Sequence, residues 1–296
     1  MPGRHHSTPA FQLPAGAADS HMHVFGPFAQ FPLAAERAYN VPEAPLAAHE
    51  AMKRAMGIER TVLVQPSGYG SDNRAMLEAL RVLGSRGRGV AVVEADVADG
   101  ELDTMHTLGV RAVRLNLVSL KSRYSDPARL IGELAARLRP RGWHLQVFGG
   151  NALIASLEPA LAQSTVDVVV DHMGLPDARG GLDQPGFQAL LRLLATGKVW
   201  AKLAGADRVT QSTGDLRGAI PFMQALVKAN PDRLVWGSDW PNIGFHSGAA
   251  IGHDDVLPYR GIDAGALLDV LGECVPDEVT RRKILADNPA RLYQFS

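Results

Sequence analysis

The sequence predicts an α/β fold, a single (β/α)8 barrel, and three observations carry the prediction. Short apolar runs alternate with longer stretches of helical period along the whole chain, which is the pattern of repeated βα units rather than of a sandwich or a helix bundle. The short runs number eight, and 296 residues suffice for one barrel, which needs ~250. Polar residues capable of chemistry recur at the carboxyl ends of those runs, and in a barrel these ends form one mouth.

The first strand is AADSHMHVF (17–25), in which alternation of side chains would put Asp19, His21 and His23 on one face. RTVLVQP (60–66) and RGVAVVE (88–94) follow, separated by the helical stretch MLEALRVLG (76–84). VRAVRLN (110–116) is the fourth strand, ARLIGELAARLRPRG (128–142) its helix, and WHLQVF (143–148) the fifth strand. ALIASLEPALAQ (152–163) leads to VDVVVDH (166–172), and FQALLRLLAT (187–196) to KVWAKLA (198–204). AIPFMQALVKA (219–229) precedes the eighth strand, RLVWGSD (233–239). Parallel strands joined by such helices close through right-handed crossovers. An open doubly wound sheet is disfavoured, because no GxGxxG follows the first strand and no Walker-type loop occurs. The long irregular stretches 26–45 and 240–262 both follow strands ending in candidate chemistry, so they are expected as βα loops on the reactive face.

Residues 1–16, which include His5 and His6, lack the continuous apolar core of a secretory signal and read as a flexible lead-in. Residues 17–296 read as one barrel domain. A formal net charge of −1 provides no global field for nucleic acid or an anionic membrane, so any anionic ligand must be held locally. No apolar run approaches the ~18 residues of a membrane span. Cys274 is the only cysteine, which excludes an internal disulfide and cysteine-based metal patterns and points to a small apolar role. A cytoplasmic setting is expected on the same grounds. RLRPR (137–141) and RGR (86–88) read as solvated helix ends. The outer helices of a barrel could support an oligomer, but no stripe assigns one.

His21 and His23 end strand one, Gln65 and Ser67 strand two, and Arg114 and Asn116 strand four. Gln146 is late in strand five, His172 ends strand six, Arg208 follows strand seven and Asp239 ends strand eight. A lone strand histidine is ordinarily structural. The pair at 21 and 23, joined at the same rim by His172 and Asp239, is the better candidate for function. His144 opens its strand, which places it near the other rim and in a structural role.

DSHMHVF (19–25) with the late WGSDWP (236–241) resembles the amidohydrolase superfamily, in which an HxH pair ends the first barrel strand and an aspartate the eighth. VQPSGYGSDN (64–73), DHMG (171–174), KLAGADR (202–208) and DNPARLYQF (287–295) narrow the resemblance to the branch of 2-pyrone-4,6-dicarboxylate hydrolases and related sugar-acid and muconate-type lactonases. The resemblance implies an amidohydrolase-type TIM barrel that hydrolyses a lactone bearing one or more carboxylates. It also implies that His21, His23, His172 and Asp239 form the reacting cluster, and that Tyr39, Ser67, Arg114, Arg208 and Asn242 contact the substrate. The chain departs from the pattern at strand four: where the pyrone enzymes place a second arginine six residues after the first, it has Leu120, followed by Lys121 and then Arg123.

Opening a lactone needs an activated water, a polarised carbonyl and donors for the oxyanion. Asp239 suits the general base, and the three histidines would orient water and polarise the carbonyl, directly or through a metal. Arg114 and Arg208 suit carboxylate anchors because the guanidinium fork meets a carboxylate with two parallel bonds. Gln146 joins them as a substrate contact, and Ser67 and Tyr69 offer hydroxyl donors. No cofactor is favoured. If one zinc is bound, His21, His23, His172 and Asp239 are its ligands. A two-metal site is disfavoured because neither the strand-four nor the strand-five end offers a bridging lysine. A lactone isomerase acting on a sugar diacid and an amidohydrolase-type decarboxylase are the alternatives, and a non-catalytic binding barrel is the weakest. The decarboxylases draw a zinc-binding histidine from the end of strand five, where this chain has Gln146 and Phe148.

Overall fold

The computed structural model describes residues 6–37, 39–118, 125–244 and 255–296. His5, Leu120, Lys121 and Arg123 lie outside the described residues. The eight strands are β1 Ala18–Met22, β2 Arg60–Val64, β3 Gly87–Ala91, β4 Val110–Asn116, β5 His144–Phe148, β6 Val168–Val170, β7 Val199–Leu203 and β8 Leu234–Trp236. All are parallel and pair in chain order, as the alternation of runs predicts. The helices are α1 Leu46–Met56, α2 Arg74–Leu83, α3 Asp99–Thr107, α4 Pro127–Leu138, α5 Asn151–Gln163, α6 Pro185–Ala195, α7 Ala206–Thr210, α8 Ile220–Ala229, α9 Ala264–Cys274, α10 Glu278–Arg282 and α11 Asn288–Tyr293. The expected βα loops 26–45 and 240–262 carry no α-helix among their described residues. None of the helices among the described residues is long and apolar enough to cross a membrane.

Closure is made where the chemistry lies. His23 N donates to Trp240 O at 2.8 Å and Asp239 N donates to His21 O at 2.9 Å, so the seam between the first and last strands runs through both candidate motifs. Gly237 permits that approach: a Cβ there would lie 2.6 Å from His21 Cβ and 2.7 Å from His21 N. Strands six and eight are shorter than their apolar runs suggest. Past them the backbone turns left-handed, with φ of 51° at His172 and 57° at Asp239.

The opposite end is plugged by the C-terminal segment. Leu292, Tyr293 and Phe295 pack with Val62, Val64, Val90, Ala112, Val169, Trp200 and Val235 in one buried cluster. Arg88, expected on a solvated helix end, is instead buried on β3, where Nε donates to Tyr293 O at 3.0 Å and Nη2 to Gln294 O at 2.7 Å. A long chain stem and a charged fork allow it to tie the plug down without leaving carbonyls unpaired. His144 stacks edge-on against Tyr293 at 5.2 Å, near the rim expected for it. Cys274 is buried on α9, and burial pushes its thiol up to about 12, in keeping with an inert apolar role. Residues of the lead-in also meet α9: Ser7 N and Oγ reach Asp263 at 3.0 and 2.6 Å, and Ala10 N reaches Asp269 at 2.7 Å.

Strand one carries one irregularity that bears on the site. Three residue steps from Asp19 to Met22 face only two from Thr61 to Leu63, a β-bulge. Asp19 therefore leaves the face it was expected to share with His21 and His23. It turns to α1 and β8, accepting from Ser238 N at 2.9 Å and Ser238 Oγ at 2.5 Å and meeting His49 Nε2 at 3.0 Å.

Candidate active site

Four side chains from three distant parts of the chain meet at the mouth. Asp239 Oδ1 lies 3.8 Å from His21 Nε2, 3.9 Å from His23 Nε2 and 3.8 Å from His172 Nε2. The distances are too long for direct hydrogen bonds and leave a small space that three ring nitrogens and one carboxylate oxygen all face. All four residues are buried. His172 and Asp239 hold their places on left-handed backbone, a strained conformation for residues with a Cβ and one that clusters at functional sites.

Each ring has a distinct backing. His23 Nδ1 lies 2.7 Å from Val64 O, which can only accept, so Nδ1 carries the proton and Nε2 presents a lone pair. His172 packs against Phe148, with ring centroids 5.1 Å apart, and against His21 at 4.7 Å. Burial, reinforced by Arg114, lowers His23 to about 4, and burial lowers His172 to about 3. Burial also holds His21 well below its ordinary value, aided by Lys202 and opposed by Asp171. Burial alone would raise Asp239, but Arg208, His172, His21 and Arg260 outweigh it and keep the carboxyl well below its usual range. At neutral pH the cluster is therefore three neutral imidazoles around one carboxylate.

Beneath it lies a second layer that joins Arg114 and Gln146 to Asp171 and Lys202, residues the sequence did not single out. Asp171 Oδ2 accepts from Arg114 Nε at 3.0 Å and Gln146 Nε2 at 2.9 Å. Lys202, on β7, donates from Nζ to Gln146 Oε1 at 2.6 Å and lies 3.5 Å from Asp171 Oδ1. Arg260, from the last long loop, bridges Asp207 at 2.6 Å and Asp239 Oδ2 at 3.3 Å. One signal was available for Lys202: a lysine inside an apolar strand of a closed barrel must point inward to a partner or break the strand's burial.

The expected substrate residues divide. Arg114 commits Nε to Asp171 and lays its guanidinium over the Phe148 ring at 5.0 Å. Arg208 pairs with Asp239 Oδ2 through Nε at 2.9 Å and Nη2 at 2.8 Å. Tyr39 and Ser67 sit together, hydroxyl to hydroxyl at 2.9 Å. Asn242, by contrast, donates its amide to Ser238 O at 2.9 Å, which holds its own loop. Gln146 spends both ends of its amide on Asp171 and Lys202. Tyr69 OH accepts from Gly26 N at 2.7 Å, which fixes a loop rather than facing the cluster. Gln65 likewise serves its own turn, donating to Gly70 O and Asp72 O at 3.3 and 2.8 Å.

The amidohydrolase family profile matches residues 18–295. The chain belongs to the amidohydrolase family. This amidohydrolase is 36% identical to a 2-pyrone-4,6-dicarboxylate hydrolase of Comamonas testosteroni, over 97% of its own length and 93% of the relative's. It is 34% identical to a 4-sulfomuconolactone hydrolase of Rhizobium radiobacter, over 96% and 92% of the two chains. Among solved structures, it resembles a putative 2-pyrone-4,6-dicarboxylic acid hydrolase from Pseudomonas putida with a TM-score of 0.79 at 35% identity, covering 96% of this chain and 99% of that one. The resemblance drawn from DSHMHVF and WGSDWP is thereby borne out, as is the barrel.

The donor set of this amidohydrolase is compatible with a single divalent ion. His21, His23 and Asp239 offer ligand atoms within 4.8 Å of one another, and His21 Nε2 is buried with no hydrogen-bond partner.

The buried histidines also give the fold a pH dependence with a definite sign. In the unfolded chain each titrates near 6.5, whereas His23, His172 and His144 are lowered to about 4, about 3 and about 3 by burial. As pH falls through that window the unfolded chain binds protons that the folded chain refuses, so stability is full above about 6.5 and declines toward 4. Asp171 and Asp239, whose folded values are depressed, keep their contribution until lower pH. The urea midpoint should therefore fall clearly between pH 7 and pH 5; a midpoint unchanged at pH 5 would contradict the burial of neutral imidazoles.

Proposed function

We propose that this amidohydrolase opens a lactone carrying at least one carboxylate, using water activated by Asp239. The observation that carries the reading is the convergence of three neutral imidazoles on one oxygen of an ionised carboxylate, with guanidiniums of Arg114 and Arg208 at its border. Water held by Asp239 Oδ1 and the His23 lone pair attacks the lactone carbonyl carbon, and its proton passes to Asp239. The oxyanion is held by imidazole N–H donors, the ring C–O bond breaks, and the leaving oxygen takes the proton back from Asp239. The product is a hydroxy acid, and the enzyme returns to its starting state.

Arg208 gives the step its order. A carboxylate gripped by guanidiniums is a weak base, and the substrate's own carboxylate competes for the same fork. Drawing Arg208 toward the substrate strengthens Asp239 when a lactone is present. Arg114 has Nη1 and Nη2 uncommitted among the described residues and supplies the other half of the anion site. Tyr39 and Ser67 add hydroxyl donors at the same border.

We favour the reaction without a metal. A divalent ion held by His21, His23, His172 and Asp239 would supply Lewis-acid polarisation of the carbonyl. What lies behind the donors argues otherwise. Metal-bound histidines give their second N–H to a carboxylate or carbonyl, as His23 does, but His21 Nδ1 has the Lys202 ammonium at 3.3 Å as well as Asp171 Oδ1 at 3.4 Å, and Asp239 is already neutralised by two arginines.

The test is a panel of lactones derived from aromatic and sugar diacids, together with uncharged analogues, assayed by acid release in isotopically labelled water before and after chelation. Turnover of carboxylated lactones with label in the product, retained after chelation, is expected. Activity confined to uncharged lactones would remove the arginine assignments, and an unlabelled rearranged ring would identify an isomerase. Stoichiometric zinc whose removal stops turnover would overturn the metal-free reading.

A further inference from the structure

We infer that Lys202 is a positioning residue that fixes His21 in the tautomer bearing its proton on Nε2, so that the HxH pair presents one donor and one acceptor to the substrate. The inference rests on the reading above and deepens it. Lys202 is fully buried, and its Nζ lies 3.3 Å from His21 Nδ1 and 2.6 Å from Gln146 Oε1. An ammonium has donors only, so the ring nitrogen it touches must accept, and a neutral imidazole that accepts at Nδ1 carries its hydrogen on Nε2.

The competing arrangement puts the proton on Nδ1 and gives it to Asp171. Nδ1 is 3.4 Å from Asp171 Oδ1 and 3.3 Å from Lys202 Nζ, and of the two contacts the one with Lys202 has hydrogen-bond geometry. Asp171 is satisfied through its other oxygen, by Arg114 and Gln146. His21 Nε2, buried and without a partner, is then an N–H aimed into the space beside Asp239 Oδ1. A carbonyl oxygen placed there would satisfy it.

His23, two residues on, is backed by Val64 O and has the opposite tautomer. The backing of each ring therefore decides its role. A carbonyl behind His23 exposes a lone pair that can hold the attacking water, and an ammonium behind His21 exposes a proton that can hold the developing oxyanion. Gln146 and Asp171 keep the ammonium in place, which accounts for a glutamine with both amide ends spent inside the barrel.

Histidine-labelled protein, stripped of metal by chelation, reports the tautomer directly through long-range proton–nitrogen correlations, with His21→Gln assigning the signal. The wild-type chain is expected to show His21 protonated at Nε2. In Lys202→Met the proton is expected to move to Nδ1, toward Asp171, with kcat down about tenfold or more while KM changes little. A wild-type His21 protonated at Nδ1, or an Nε2 proton retained in folded Lys202→Met, would overturn the assignment. If Lys202→Met does not fold, the wild-type spectrum alone decides. The spectrum needs no turnover, so a chain inactive on every lactone yet showing this tautomer would reject the lactonase reading and keep the role of Lys202.

Discussion

Asp239→Asn is expected to lower kcat for lactone opening by about 10³-fold while leaving binding of the carboxylated ligand largely intact. The amide is nearly isosteric with the carboxylate. Its oxygen can keep accepting from Arg208, now 2.9 and 2.8 Å away, and its NH2 can face the lone pair of His23, so the cluster keeps its shape. What is lost is the ionised group that, among the described residues, faces all three imidazoles. An arginine held by a neutral amide instead of a carboxylate also grips the substrate's carboxylate at least as well as before, so KM should stay level or fall. Steady-state kinetics on the variant separate the two effects, and a kcat within threefold of wild type would take Asp239 out of the proton-transfer role. A non-catalytic anion-binding barrel makes the opposite forecast, since nothing would be turned over in either protein and only affinity would rise.

Much of this site was legible from strand ends alone. A parallel strand closed into a barrel has one reactive end, so residue type at positions 21, 23, 114, 172 and 239 carried spatial information that no local pattern could give. The limits were equally physical. Alternation implied that Asp19 shared the histidines' face, but a one-residue bulge reverses parity without any signature in composition. Arginine at 208 reads the same whether it awaits a substrate or holds Asp239, and the structure shows it holding Asp239. Gln146 and Asn242, expected to meet a substrate, give their amides to neighbours in the fold. The pairing of Arg114 with Asp171 and Lys202 escaped because its members are 57 and 31 residues apart in sequence, and nothing local joins them. Only pairing in space makes their burial affordable.

That buried set is also where a single change should cost the fold most. Asp171→Ala removes the carboxylate shared by Arg114 Nε at 3.0 Å, Gln146 Nε2 at 2.9 Å and Lys202 Nζ at 3.5 Å, and leaves two cations in the barrel interior without a counter-charge. Breaking a buried pair in this way typically costs about 3–5 kcal/mol, because the stranded charge keeps its desolvation penalty and loses the attraction that offset it. Urea unfolding should show the loss as a lower midpoint at unchanged slope. Adding Lys202→Met to the same chain takes one stranded ammonium away, so the double variant should be more stable than Asp171→Ala alone even though it carries one more substitution. The exposed pair between Arg192 and Glu158, at 2.7 Å and open to water, is the internal comparison, and Glu158→Ala should leave the midpoint in place. If the two losses in the interior simply added, the ammonium would not depend on Asp171 for its burial. Gln146 Oε1 at 2.6 Å would then be its principal partner, and the charge beneath His21 would be held by a neutral amide.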